Sequence, residues 1–295
     1  MNSFQIFSDG ACDIELEELE KLNVKTIPFY ISFNGSDYYK ELTELSLDTF
    51  FNKVINEHVF PKTSLPSIED YINAFTPSIK EGKDIICFTI TNSLSGSIQS
   101  AENAKSILLE DYPDAKIYII NSLLATGAQA LLIKEAVKMR DSNYDIDKVY
   151  EICEKLKETA RIIFMVGTLE HLEKGGRIGK LASLSGSIFN IKPLIILENG
   201  EIHVGGVARG RKKGISKLVA LCKEHFEKSG ESIDDYIFKI GTSNTPDETQ
   251  IFKSELLNSC GSMNFESDFQ IGATISSHTG PDTIGLCFIK AYDKI

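Results

Sequence analysis

Short apolar runs alternate with longer amphipathic stretches through the first half of the chain. The apolar runs predict strands at residues 4–8, 26–33, 85–90 and 116–121. The stretches between and after them space their apolar residues as helices do, near residues 15–22, 47–56, 68–79, 97–109, 124–139 and 146–159. Strands that alternate with helices of this length are typical of a parallel sheet with right-handed crossovers.

The pattern changes near residue 160. Strands are predicted at residues 161–166, 193–197, 201–207, 236–241, 269–275 and 285–291, with helices at 211–228 and 247–257. Asn199-Gly200 between two apolar runs predicts a two-residue hairpin. We therefore predict an α/β protein of two domains. Residues 1–160 form an N-terminal parallel α/β/α sheet domain, and residues 161–295 form a C-terminal α/β domain with a mixed sheet that binds the ligand.

Composition and charge exclude several classes of function. The net charge of −11 argues against general nucleic-acid binding, which needs a basic face. The chain has no apolar run near the ~20 residues that cross a bilayer, so stable membrane insertion is not expected. The N-terminal sequence does not resemble a secretion signal. The six cysteines are scattered without a CxxC pair, so a reducing, cytoplasmic location is expected.

Four short polar segments interrupt the apolar pattern, at residues 61–67, 93–97, 172–179 and 276–285. The second follows the apolar run at 85–90 and supplies hydroxyls and Gly96 where the next helix is predicted to begin. Free backbone N–H groups and the positive end of a helix dipole favour an anion there. Ligands commonly bind at the carboxyl ends of strands in open α/β sheets. A carboxylate or phosphate site is therefore expected at this turn.

The other three segments carry hydroxyl, arginine and histidine side chains. Thr63 and Ser64 stand between two prolines that favour an extended loop. Arg177 follows a Gly-Gly pair, and its planar guanidinium suits a carboxylate or phosphate. His278 is expected in a loop of small residues, just after a strand that ends at residue 275. Each of the four segments also has a plain structural interpretation, namely a helix cap, a surface turn or a satisfied histidine.

Together these segments resemble the motifs of the DegV family, the fatty-acid-binding proteins that serve bacterial fatty acid kinase. The resemblance covers nearly the whole chain, from Ser8-Asp9-Gly10-Ala11-Cys12-Asp13 to His278-Thr279-Gly280-Pro281. It implies an N-terminal parallel α/β domain packed on a second domain with a mixed sheet. It also implies one bound fatty acid, with its tail in an apolar tunnel and its carboxylate near the domain interface.

The resemblance also implies roles for single residues. Thr63 in Pro-Lys-Thr-Ser, Ser95 in Leu-Ser-Gly and His278 in His-Thr-Gly-Pro would hold the head group. Their neighbours Gly96, Ser97 and Thr279 complete the expected ligand-binding set. Arg177 in Gly-Gly-Arg-Ile and Arg209 in Ala-Arg-Gly would serve phosphoryl transfer or contact with the partner.

The implied function is that of a carrier and not of an enzyme acting alone. It would bind a long-chain fatty acid and present the carboxylate to an ATP-dependent fatty acid kinase subunit, which forms an acyl phosphate for phospholipid synthesis. No cofactor or metal is implied, and contact with the membrane would be transient. Three departures from the family pattern bear on the ligand rather than on the family. They are Leu65, the pair Ser97-Ile98 and the pair Asp282-Thr283.

An apolar stripe follows the third polar segment and could supply part of a tunnel wall, or could be plain core. Its members are Leu172, Ile178, Leu181, Leu184, Ile188, Phe189 and Ile191. Burial gains about 0.8 kcal/mol per methylene, so a tail of about 16 carbons would contribute on the order of 10 kcal/mol. Hydrogen bonds to the charged head group add about 1.5–3 kcal/mol each and must offset its desolvation. The tail would therefore set affinity, and the polar residues would set orientation.

Other functions remain open from the sequence. A lipid-binding sensor without a kinase is one alternative, and a serine hydrolase is another, although no Gly-x-Ser-x-Gly elbow is present. A self-contained NTPase lacks the Gly-Lys-Ser/Thr ending of a P-loop. A metal enzyme is not favoured because the five histidines are dispersed. The basic residues 209–213 would favour an acyl phosphate, dock an acidic partner, or simply begin a solvated helix.

Overall fold

The computed structural model describes residues 4–184 and 191–295, with residue 184 in its backbone only. The strands are β1 Phe4–Asp9, β2 Val24–Ile27, β3 Tyr30–Ser32, β4 Tyr39–Lys40, β5 Lys62–Ser64, β6 Asp84–Thr89, β7 Ile117–Asn121, β8 Arg161–Met165, β9 Ile191–Glu198, β10 Glu201–Arg209, β11 Tyr236–Thr242, β12 Asn264–Phe265, β13 Phe269–Gln270 and β14 Ile284–Lys290. The α-helices are α1 Leu16–Lys21, α2 Leu47–Asn56, α3 Ile68–Lys80, α4 Ser97–Asp111, α5 Thr126–Asp141, α6 Ile146–Thr159, α7 Glu170–Lys174, α8 Arg211–Ser229, α9 Asp247–Cys260 and α10 Ala273–Thr279.

The first sheet is parallel, in the order β2-β1-β6-β7. Helices α3 and α4 cover one face, where Tyr71 and Phe75 pack with Ala101 and Leu108. Helices α5 and α6 lie on the other side and share a core cluster with Ile86. Strands β1 and β6 are therefore buried on both faces, and for β6 the continuous apolar run at residues 85–88 predicts this.

The second sheet is mixed, in the order β10-β9-β8-β14-β11-β12, and β13 also pairs with β11. Pairing is antiparallel from β10 to β11, whereas β12 and β13 run parallel to β11. The predicted hairpin joins β9 to β10, and Asn199 and Gly200 have the positive φ values of 50° and 81° that a type I′ turn needs. The predicted α/β fold with a parallel and a mixed sheet is confirmed.

Helix α5 lies between the two sheets. It contacts β1 of the parallel sheet and both β11 and β14 of the mixed sheet. Its central segment is buried on all sides, including Leu132, Ile133 and Ala136. One core cluster consequently runs from Ile86 in β6 to Cys287 in β14. We propose that the boundary near residue 160 separates the two sheets, which share this core around α5.

Residues 26–33 form two strands rather than the single predicted one. Strand β2 ends at Ile27 in the parallel sheet, and β3 belongs to a small antiparallel sheet in the order β4-β3-β5. Pro28 separates them, and it has no backbone N–H with which to continue a ladder. The small sheet also takes in residues 62–64, which were expected to be an extended loop.

The predicted strand at residues 269–275 is wrong beyond residue 270. Strand β13 covers Phe269–Gln270 only, and helix α10 begins at Ala273 after Gly272. The side chain of the distant Glu41 accepts a hydrogen bond from the Thr274 N–H (2.8 Å) and stabilises the first turn of this helix. His278 therefore lies in the last turn of a short helix and not in a loop.

Candidate functional site

A cavity of about 250 Å³ lies between the two larger sheets and the small sheet. A buried water needs only roughly 10–15 Å³, so the interior is not packed solid here. The walls are mostly apolar: Phe29, Leu65, Ile90, Leu94, Ala125, Ile162, Phe164, Leu172, Leu197, Ile202, Phe269, Ile271, Ile275 and Cys287 line them, with Gly241 and Gly285. The polar lining residues are Thr63, Ser64, Ser95, Thr126, Arg177, Thr274, His278, Thr279 and Thr283.

The apolar stripe predicted for the wall contributes only in part. Leu172 lines the cavity, whereas Leu181 is buried in the same core cluster without lining it. Ile188, Phe189 and the side chain of Leu184 lie outside the described residues. Half of the apolar wall comes instead from β8, β9, β10, α10, β13 and the neighbouring Ile271, and most of the rest comes from Phe29, Leu65, Ile90, Leu94, Ala125 and Cys287.

Thr63 and His278 meet at the cavity although 215 residues separate them in sequence. Thr63 is in β5, His278 is in α10, and the Thr63 Oγ1 to His278 Nε2 distance is 2.9 Å. Burial lowers the pKa of His278 to about 4, and the nearby Arg177 and His171 act in the same direction. The imidazole is therefore neutral near pH 7.

The surroundings of the ring favour one tautomer. Nδ1 is buried beside Gly175 and has no hydrogen-bond partner among residues 4–184 and 191–295. A buried unpaired acceptor is tolerated better than a buried unpaired donor, so the proton belongs on Nε2. His278 then donates to Thr63 Oγ1, and the Thr63 hydroxyl proton is free to bind an anion in the cavity.

The turn at residues 93–97, called the serine turn below, supplies a second hydroxyl. Ser95 is 9% exposed, lines the cavity, and accepts a hydrogen bond from the Ser97 N–H at 3.2 Å. Its own proton is therefore available to a ligand. Gly96 precedes α4 as its N-cap and does not line the cavity. The structure does not bring the Ser97 side chain to the cavity either.

Ser97 is instead part of a buried network beneath the turn. Its Oγ donates to Asp9 Oδ2 (2.7 Å) and is 2.7 Å from the Tyr71 hydroxyl. Asp9 also accepts from the Ile90 N–H (2.9 Å) and from Gln129 Nε2 (3.0 Å). Asp9 thus fixes the end of β6 and the start of α4, on either side of Ser95. No role for Asp9 follows from the sequence alone, although Asp9 belongs to the segment at residues 8–13 that resembles the DegV family.

The two predicted arginines lie in different surroundings. Arg177 lines the cavity, and it donates from Nε to the Leu94 carbonyl (3.1 Å) and from Nη1 to the Gly175 carbonyl (2.6 Å). It therefore joins the Gly-Gly turn to the serine turn. Arg209 is exposed at the end of β10 and does not line the cavity.

Only some side chains of the basic segment at residues 209–213 are available to a ligand or a partner. Arg211 forms an ion pair with Glu248 and donates to the Asp282 carbonyl. It thereby ties α8 to the segment after α10. Lys212 and Lys213 are exposed. A role for Arg211 in attracting an acyl phosphate is accordingly not favoured.

Three further observations concern hydrolysis, metal binding and membrane insertion. In the described part of the chain His278 bonds to Thr63, and no histidine hydrogen-bonds to Ser95. Residues 4–184 and 191–295 contain no group of three or more His, Cys, Asp or Glu side chains that could hold a metal ion. Over the same ranges, no helix has both the length and the apolar composition that crossing a bilayer requires.

Comparison with known proteins gives the family. The DegV family, described as uncharacterised proteins, matches residues 3–291. The chain belongs to the DegV family. A DegV domain-containing protein of Clostridium perfringens is 30% identical over 291 residues, which are 98% of this chain and 98% of that protein.

Two solved DegV-like structures are similar over nearly the whole chain. A fatty acid (stearic acid)-binding protein from Eubacterium ventriosum is 37% identical with a TM-score of 0.94, over 99% of this chain and 100% of that chain. A fatty-acid-binding DegV family protein from Thermus thermophilus is 27% identical with a TM-score of 0.87, over 98% and 99% of the two chains. The predicted DegV family membership is thus confirmed.

Proposed function

We propose that this protein binds one long-chain fatty acid, with the hydrocarbon tail in the cavity and the carboxylate at Thr63, Ser95 and His278. The observation that carries the proposal is the Thr63–His278 hydrogen bond in the wall of a mostly apolar cavity. The fatty-acid-binding relatives from Eubacterium ventriosum and Thermus thermophilus support it. Thr279 lines the same cavity next to His278, and Gly96 and Ser97 shape the turn that presents Ser95.

A neutral imidazole and two hydroxyls suit a carboxylate better than a phosphate dianion. The Thr63 and Ser95 protons supply two hydrogen bonds, each worth about 1.5–3 kcal/mol to a charged acceptor before desolvation is subtracted. The side chain of Arg177 adds a positive charge at the same cavity. Most of the affinity comes from the tail, at about 0.8 kcal/mol per buried methylene.

Lipid analysis of the purified protein tests the binding proposal. Native mass spectrometry should show one added mass per chain, and extraction should yield a long-chain acid. Thr63→Val should weaken binding of the acid by about tenfold, the equivalent of losing one hydrogen bond to a charged group. Thr249→Val is the matched control, because its buried hydroxyl donates to the Pro246 carbonyl just before α9, and Thr249 does not line the cavity. A protein that binds no acid would contradict the proposal.

We further propose that an ATP-dependent fatty acid kinase subunit phosphorylates the bound acid. On this proposal the chain is a cytoplasmic carrier without a cofactor of its own, and it contacts membranes only transiently. Arg177 at the cavity and the exposed Arg209 would serve transfer or docking. Arg177→Ala should weaken acid binding by a few-fold at most, because the tail supplies most of the affinity, and should slow acyl-phosphate formation by a cognate kinase subunit much more. Arg140→Ala is the control, because that side chain bonds to the Leu22 and Asn23 carbonyls away from the cavity. Binding without phosphorylation would favour a sensor.

A further inference from the structure

Helix α10 is held at both ends by the same small sheet. Glu41 follows β4 directly and bonds to the first turn of α10, and Thr63 in β5 bonds to His278 in its last turn. Strand β3 pairs with both β4 and β5 and so fixes the distance between them. The seven residues of α10 span about 10 Å at ~1.5 Å per residue. The small sheet therefore determines where this helix, and the imidazole on it, can lie.

Glu41 is well placed to act as the anchor. It is 2% exposed, and its backbone N–H donates to the Phe29 carbonyl at 2.9 Å. Oε1 accepts from the Thr274 N–H (2.8 Å), and Oε2 accepts from the Thr274 hydroxyl. The carboxyl group thus satisfies an N–H that the first turn of a helix leaves without a partner. A polar group buried at this depth is costly unless it is paired, so the contact holds the helix start firmly.

Asp13 supports the same helix end from a second direction. Its Oδ2 accepts from the Thr126 hydroxyl, and its Oδ1 lies beside Gly272, the N-cap of α10. A Cβ atom on Gly272 would overlap Asp13 Oδ1 and come within 2.8 Å of Glu41 Oε1. The two acids therefore close around a backbone position that only glycine fills without displacement.

We propose that Glu41 is a positioning residue for the head-group site: by holding the first turn of α10, it sets where His278 meets Thr63. The effect of Glu41 on fatty acid binding rests on the proposed function. The positioning itself concerns the ligand-free protein and is measurable without a ligand. Glu41 does not line the cavity, and its carboxyl group is bonded to Thr274 of α10, which does.

The primary experiment follows the His278 ring by ¹⁵N NMR in the ligand-free protein, with the resonance assigned through His278→Asn. Glu41→Ala should shift the Nε2 and Nδ1 resonances and mix the tautomers, because the helix end is released. Glu41→Gln should restore the wild-type resonances, since its amide can still pair with Thr274. Glu135→Ala is the matched control: Glu135 is also buried and caps a backbone N–H, that of Tyr292 at 2.7 Å, away from the cavity.

Stearic acid titration provides the second readout. Glu41→Ala should weaken binding by about tenfold, and the effect should largely disappear in a Thr63→Val background, because the two changes disrupt one contact. Thr274→Val removes only the hydroxyl donor, and it should shift the imidazole resonances in the same direction even if Glu41→Ala fails to fold. Unchanged resonances in Thr274→Val, or in a folded Glu41→Ala, would overturn the inference. Absence of stearic acid binding by the wild type would overturn the proposed function alone.

Discussion

The Phe269 ring forms part of the cavity wall and is packed against two glycines. A Cβ atom on Gly241 or on Gly127 would overlap this ring. Gly241→Ala should therefore push the ring into the cavity. We expect a loss of about 1–3 kcal/mol in the free energy of unfolding, and a preference for shorter acids. Urea denaturation and competition between acids of different length would measure the two effects.

Gly214→Ala is the control for this prediction. A Cβ atom there would overlap the sulfur of Met165, a residue that belongs to a core cluster with Leu218 and Phe288 and does not line the cavity. The substitution should lower stability without changing the preferred chain length. An unchanged preference in Gly241→Ala would show that Phe269 does not limit the space for the tail.

At this scale the sequence singled out residues with unusual chemistry but not the residues that support them. Thr63, Ser95 and His278 all line the cavity, and their role in holding a head group stays a prediction. Glu41 was not recognised, because an acid in a polar stretch is usually exposed and nothing local shows that it is buried. Its partner Thr274 lies 233 residues away. Only the folded chain brings such residues together.

The β9–β10 hairpin closes against the serine turn. The Gly200 carbonyl at its tip accepts hydrogen bonds from the Thr91 hydroxyl (2.8 Å) and from the Ser93 hydroxyl. Leu197 and Ile202, on either side of the tip, line the cavity. The two hydroxyls therefore hold one wall of the cavity in place.

Removal of both hydroxyls should loosen this wall. The double variant Thr91→Val/Ser93→Ala should release a bound fatty acid several-fold faster, on the order of the 1 kcal/mol that a hydrogen bond contributes, as measured by stopped-flow displacement. Thr76→Val/Ser106→Ala is the control, because these hydroxyls bond only to carbonyls of their own helices. Equal release rates for both double variants would exclude the hairpin as a barrier to exit.

Most elements were predictable because their patterns are local. Helices α2 and α6 have the predicted bounds, and the Asn199-Gly200 turn identified the hairpin. The segment at 269–275 misled because its apolar residues stand at every second position, as in a half-buried strand. The end of this segment folds as α10 because of Gly272 and of carboxyl groups from distant loops. No local pattern could therefore predict the helix.

Over the whole molecule, buried ionisable groups should make stability depend on pH in two opposing ways. Burial raises the pKa of Glu41 to about 7 and the pKa of Asp13 well above its ordinary value. The folded state thus retains protons that the unfolded state loses. The contribution of these acids to the free energy of unfolding is therefore present below about pH 4.5 and is lost as the pH rises through about 7. Burial lowers the pKa of His278 to about 4. The contribution of His278 to the free energy of unfolding is present above about pH 6.5 and is lost as the pH falls toward 4.

Comparison of the wild type with Glu41→Gln isolates the first contribution, because His278 is common to both proteins. The unfolding free energy of the wild type minus that of the variant should fall by up to about 3 kcal/mol between pH 5 and pH 8. Urea denaturation at several pH values measures this difference. Glu81→Gln should show a nearly constant difference over the same interval, because Lys83 lowers the pKa of the exposed Glu81 carboxyl below its ordinary value and so away from this interval. A constant difference for Glu41→Gln would mean that Glu41 is ionised in the fold throughout this range, and that the buried site tolerates its charge.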